Sequence, residues 1–182
     1  MGSERHAGRR GVYEHCGVQF LILPDHRARY YDKLAVFTPD TVQLWYIDPD
    51  PDLFVQTQVL ENTGTDCTHS ITQFGDSDIF YLDVSGLRSM RARDSSNAAA
   101  TTDIGVPIDD LLTARLRDMT LSDKRRVTGL INPMDKRFWL IMGGEAFIYS
   151  YYPNSKVNAW TRYSLSETND SVRTNFVVDT AI

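Results

Sequence analysis

Residues 127–163 read VTGLINPMDKRFWLIMGGEAFIYSYYPNSKVNAWTRY, four short apolar or aromatic runs divided by Asn132-Pro133-Met134-Asp135, Gly143-Gly144-Glu145 and Pro153-Asn154-Ser155-Lys156. Each divider is a cluster of turn formers, so the stretch spells a four-stranded antiparallel meander. Gly143-Gly144 supplies the positive φ of a tight hairpin, and residues 138–141 and 146–151 carry the β-branched and aromatic side chains that fill a pleated surface. Four such strands make one propeller blade.

The central hairpin has counterparts upstream. LAVF-TPD-TVQLWYI at 34–47, IFYL-DVS-GLRSMRA at 79–92 and FWLI-MGGE-AFIYSYY at 138–152 each join a four-residue apolar strand to a longer one through a short turn holding an acid, Pro or Gly. Asp32, Asp78 and Asp135 introduce the three units, whose starts lie 45 and 59 residues apart. A period of roughly 40–50 residues with four strands per unit is a propeller signature. The expected fold is therefore all-β, with antiparallel four-stranded blades of a partial β-propeller and one inserted helix at about 107–119. An ordinary antiparallel sandwich without a true repeat is the alternative.

At 182 residues the chain has the size of one domain, long enough to bury roughly 70% of its unfolded surface. Three blades do not close a ring of about four to eight, so a longer protein, further copies or a partner would have to complete it. A net charge of −5 and an isoelectric point near 5.3 argue against a sequence-reading nucleic-acid domain. The apolar runs are too short to span a membrane, and 17–23, interrupted by Gln19 and followed by Pro24, lacks signal-peptide character. Cys16 and Cys67 read as buried or incidental thiols of a protein made in a reducing cytoplasm.

Residues 1–17, with Arg5, Arg9 and Arg10 among glycines, read as a flexible arm, and 18–182 as the propeller portion. Its repeat units are placed at about 18–66, 67–119 and 120–165. The first strand is placed at 18–23, a basic linker at 26–29, and the start of a further strand at 174–178. Asp48-Pro49-Asp50-Pro51-Asp52 is the densest run of carboxylates. Counted as a calcium loop it puts Leu53 where glycine is needed and Val59 where a bidentate glutamate is needed, so it reads as a stiff extended turn with acids facing water. In the second unit, 68–74 is expected as a strand, and the strand begun at Gly86 is expected to continue through Met90 and Ala92. A flexible loop is placed at 94–102.

The helix interrupts the β pattern. Pro107 suits its first turn, Asp109 and Asp110 its positive end, and Arg115 and Arg117 its negative end. Ile108, Leu111, Leu112, Leu116 and Met119 recur at helical spacing and form one apolar stripe. Either the stripe packs on the sheet as a lid, or the insertion projects to a neighbouring subunit, with Asp103, Pro107, Asp109, Leu112, Arg115 and Arg117 as the candidate interface. Residues 120–123 are expected to end the helix, and Lys124-Arg125-Arg126 to open the third blade.

Trp45-Tyr46-Ile47-Asp48-Pro49-Asp50-Pro51, Gly75-Asp76 with Ile79-Phe80-Tyr81-Leu82, Ser85-Gly86-Leu87-Arg88-Ser89, Asp103-Ile104-Gly105-Val106-Pro107-Ile108-Asp109 and Ala159-Trp160 together carry a resemblance. The chain resembles, over about 31–163, the β-propeller tail proteins of short-tailed bacteriophages, the nozzle, tail tubular or "stabilisation" proteins. The resemblance implies a non-enzymatic virion component, located in the tail and in host cytoplasm during assembly. It implies a ring of copies, hexameric in that family, below the portal and adaptor, through which double-stranded DNA passes without sequence-specific binding. The chain is much shorter than that family, and its first 30 residues differ from the usual lead-in.

No catalytic residue, cofactor site or metal site is assigned. His6, His15, His26 and His69 accompany no nucleophile elbow, and the Cys/His pairs lack zinc-site spacing. Gly143-Gly144 joins two strands and precedes no helix N-terminus that could take phosphate. A carbohydrate-binding or glycoside-hydrolysing propeller is the alternative function, with Asp48, Asp76 or Asp109 as carboxylates. Trp45, Trp139 and Trp160 would be its stacking surface; otherwise at least two are blade-core residues.

Overall fold

All three repeat hairpins are present, each inside its own antiparallel sheet. The computed structural model describes residues 27–75, 78–96, 103–135, 137–152 and 157–164. The first sheet is a meander of β1 (Arg27–Tyr30), β2 (Lys33–Phe37), β3 (Thr41–Tyr46) and β4 (Val55–Glu61). The second has β5 (Thr72–Phe74), β6 (Asp78–Asp83) and β7 (Gly86–Ser89). Three helices follow: α1 (Met90–Ser96), α2 (Asp109–Asp118) and the single turn α3 (Leu121–Lys124). The third sheet is a meander of β8 (Thr128–Asn132), β9 (Arg137–Met142), β10 (Glu145–Tyr152) and β11 (Val157–Ser164). The β9–β10 turn is made by Gly143 and Gly144 at φ 57° and 80°, the two left-handed residues of a tight hairpin.

Several expectations are corrected. The supposed basic linker is strand β1: Ala28 and Tyr30 face the core, while Arg27 and Arg29 alternate onto the other face. Residues Thr68–Ser70 form a 3-10 turn, so His69 is not in a strand. The second sheet has three described strands instead of four, and β7 stops at Ser89, where α1 starts at Met90. Ser89 Oγ accepts the Ala92 amide at 3.3 Å, and an Asp78 oxygen accepts the Arg91 amide at 3.0 Å, which caps the new helix. Asp94 accordingly belongs to α1 rather than to a loop. The inserted helix spans Asp109–Asp118, with Pro107 two residues before its start. Thr120 does not end it but caps α3 by accepting the Asp123 amide. Lys124 closes α3, and the third sheet begins only at Thr128. The 48–52 run curls into a 3-10 turn at Pro51–Leu53 instead of extending. The expected arm at 1–17 and the strands at 18–23 and 174–178 lie outside the described residues.

The second sheet is the middle layer. Ile79 and Tyr81 of β6 face one core with Phe37, Val42, Leu44 and Leu60 of the first sheet. Phe80 and Leu82 face the other, with Leu112 and Leu116 of α2 and Phe138, Leu140, Phe147 and Tyr149 of the third sheet. Burial on both faces explains why β6 is a continuous apolar run instead of an alternating one. β1 meets β5 and β6, and β5 meets β8, so the leading strands of the three sheets adjoin in chain order. Blades of a propeller share that order. Among the described residues the sheets do not close a ring.

Candidate functional site

The outer edge of β7 is where a fourth strand would pair, and a strap formed by residues 103–109 occupies it. Antiparallel pairing of β7 to β6 alone turns every second amide outward, and an unpaired buried amide is costly. Asp103 Oδ1 accepts the Ser89 amide at 2.9 Å and its neighbour Ile104's amide at 2.9 Å. Asp109 Oδ1 accepts the Leu87 amide at 3.1 Å. Two carboxylates thus do the work of a strand's carbonyls.

Two glycines make the approach possible. A Cβ on Gly105 would lie 2.3 Å from the Leu87 carbonyl oxygen, and one on Gly86, at φ 129°, would lie 1.9 Å from Asp109 Oδ1. Both contacts are sterically forbidden, and glycine alone avoids them. Turn hydrogen bonds from Val106 N to Asp103 O at 3.2 Å and from Ile108 N to Gly105 O at 2.8 Å coil the strap into α2.

Arg88 locks the arrangement. Its Nη1 donates to Asp109 Oδ2 at 2.6 Å and to the Leu87 carbonyl at 2.9 Å, and Nη2 donates to the Ser85 carbonyl at 2.6 Å. The residue is buried, and a buried guanidinium is stable only when so fully partnered. On the far side, Trp160 Nε1 of β11 donates to the Ile104 carbonyl at 2.9 Å while its ring packs on Tyr149. Arg115 of α2 pairs with Glu145 of β10 at 3.0 Å, and Arg162 of β11 pairs with the same carboxylate. The strap and α2 therefore bind the second sheet to the third.

Burial pushes the Asp103 carboxyl above its ordinary range, against the pull of the Ser89 and Ile104 amides and of Arg88 and Arg93. Its second oxygen and Arg93 Nε, 3.7 Å apart, are both buried without a hydrogen bond. Burial also raises the Asp78 and Asp83 carboxyls. A cavity of about 150 Å³ beside the β6–β7 turn is lined by Cys67, Leu82, Leu116 and the Asp66–Lys124 pair.

The six residues expected at a subunit contact divide into two sets. Asp103, Asp109 and Leu112 point inward and are committed to the strap and core. Pro107, Arg115 and Arg117 are on the exposed side. Of the carboxylates considered for glycoside chemistry, Asp109 is held by Arg88, Asp48 accepts the Asp50 amide at 3.0 Å, and Asp76 is outside the described residues. Trp160 packs against the core; Trp139 and Trp45 are half-buried. Arg88, Glu145, Gly86 and Gly105 join the site beyond the residues that sequence pattern points to, and only the two glycines have a local signal, within the GLRS and DIG motifs. Among the described residues no helix is long and apolar enough to cross a membrane. No family model and no curated protein matches the chain.

Proposed function

We propose that this chain is a non-enzymatic structural protein of a short-tailed phage virion, one copy in a ring of the tail nozzle or tube. The observation that carries the reading is where the resembling residues lie. Gly86, Arg88, Ser89, Asp103, Gly105, Asp109 and Trp160 are scattered over the sequence, yet all seven belong to the strap and its two anchors. A motif whose parts depend on one another physically is a stronger basis for kinship than the same letters unconnected. Stacked up-and-down sheets with adjoining leading strands support the same reading.

In this role the ring, of six copies by resemblance, lies below the portal and adaptor and conducts double-stranded DNA. The chain's net negative charge repels the phosphate backbone, so that DNA slides without sticking. Copies meet through the exposed side of the strap and α2, where Pro107, Arg115 and Arg117 lie. Electron microscopy of the purified full chain tests the proposal: rings of one rotational symmetry with an axial opening that admits duplex DNA are expected, and discrete particles without a channel would overturn it.

A further inference from the structure

Five large apolar side chains are exposed in the ten residues 46–55, the β3–β4 loop with the strand residue at each end of it. Tyr46, Ile47, Leu53, Phe54 and Val55 are between 40% and 55% accessible. The loop is built rather than loose. Asp48 Oδ1 accepts the Asp50 amide at 3.0 Å, Asp50 Oδ1 accepts the Asp52 amide at 3.1 Å, and the Leu53 amide reaches the Asp50 carbonyl at 3.0 Å. Tyr46 and Val55 pair directly across its base, and Ile47, Leu53 and Phe54 follow within the turn they close, which concentrates exposed apolar surface at this end of the sheet. Soluble proteins rarely expose such a patch unless something binds it. Asp48, Asp50 and Asp52 lie in the same loop and have no salt bridge among the described residues. Its partner must therefore combine apolar surface with cations.

The chain carries a surface of that description elsewhere. At the corner between α2 and α3, Leu121 is 54% accessible; Arg117, Arg125 and Arg126 are exposed in the same stretch and, with Lys124, outnumber the exposed Asp118 and Asp123, so the corner is net basic, and Arg126 is the cation that acts on Asp123. Both patches are exposed in the single chain, so neither covers the other. We propose that the 46–55 loop of one copy docks on the α2–α3 corner of the next copy, apolar against apolar and aspartate against arginine. Patches of different composition make a head-to-tail contact, which closes into a ring when its rotation divides a full turn. The proposal rests on the reading that copies assemble, and names the two surfaces that join them.

Asp52 and Arg125 are both exposed, and no hydrogen bond or ion pair of either side chain is observed among the described residues, so their charges can be reversed without disturbing the fold. Sedimentation of the full chain at low salt is expected to show an assembly for the unaltered protein, with Asp52→Arg and Arg125→Glu each weakening self-association at least tenfold. Each variant sets like charges against each other at this one pair of positions, two cations for Asp52→Arg and two anions for Arg125→Glu, whereas alternating copies of the two variants pair opposite charges at every contact, so an equimolar mixture is expected to assemble again. Phe54→Ser is expected to weaken assembly without changing charge, and unchanged melting temperatures confirm that the variants fold. Assemblies indifferent to both reversals, or a mixture that fails to recover, would overturn this contact while leaving the ring standing. An unaltered protein that stays monomeric at every concentration would overturn both.

Discussion

The Asp103 carboxylate accepts the main-chain amide of Ser89 at 2.9 Å from fourteen residues away. With Asp109 on Leu87, it leaves β7 paired on one side by a strand and on the other by side chains. An edge covered in this way is closed to further strand addition, and the middle sheet is joined to its neighbours through faces and helices instead.

Gly105→Ala puts a methyl group 2.3 Å from the Leu87 carbonyl, and the backbone on both sides must shift. A loss of roughly 1–3 kcal/mol is expected, measured by urea denaturation, together with faster hydrogen exchange at the Leu87 and Ser89 amides.

Leu112 is fully buried between α2 and the third sheet. Leu112→Ala is expected to cost about 2–5 kcal/mol, and Leu112→Asp to leave the chain unfolded by circular dichroism. A folded Leu112→Asp protein that merely fails to assemble would instead place this side chain at a subunit contact.

Asp103 makes stability depend on pH. Its folded pKa is raised, so the folded state binds its proton more tightly than the unfolded chain does. The contribution is complete below the unfolded value of about 3.9 and is lost as pH rises through the folded value. Asp103→Asn keeps an oxygen for the Ser89 and Ile104 amides but does not titrate. Stability measured from about pH 4 to pH 7 is expected to fall less steeply for this variant, the remaining slope coming from Asp78 and Asp83.

Cys67 is buried, and burial pushes its thiol up to about 12 against the pull of Lys124. Since the thiolate is the reactive form, its reaction with a disulfide reagent near pH 8 is expected to require unfolding. A rate unchanged between native buffer and denaturant would contradict the burial.

The hairpins were legible because their signals are local: Gly143-Gly144, Thr38-Pro39-Asp40 and alternating apolar residues fix turn and register within a dozen positions. The features with no local signal depend on distant residues. Met90 and Ala92 continue the alternation of β7, but Ser89 and Asp78 cap a helix there, and Asp78 is eleven residues upstream. Arg27 and Arg29 hid strand β1 behind a basic composition, although Ala28 and Tyr30 hold the alternate positions. The glycines of GLRS and DIG were visible, yet the reason for them is the approach of two segments about twenty residues apart.

Native mass spectrometry of the purified full chain tests assembly most directly. A single species at a fixed multiple of the 20.7 kDa chain mass is the predicted result. A 20.7 kDa species alone, at every concentration and at low salt, would contradict it.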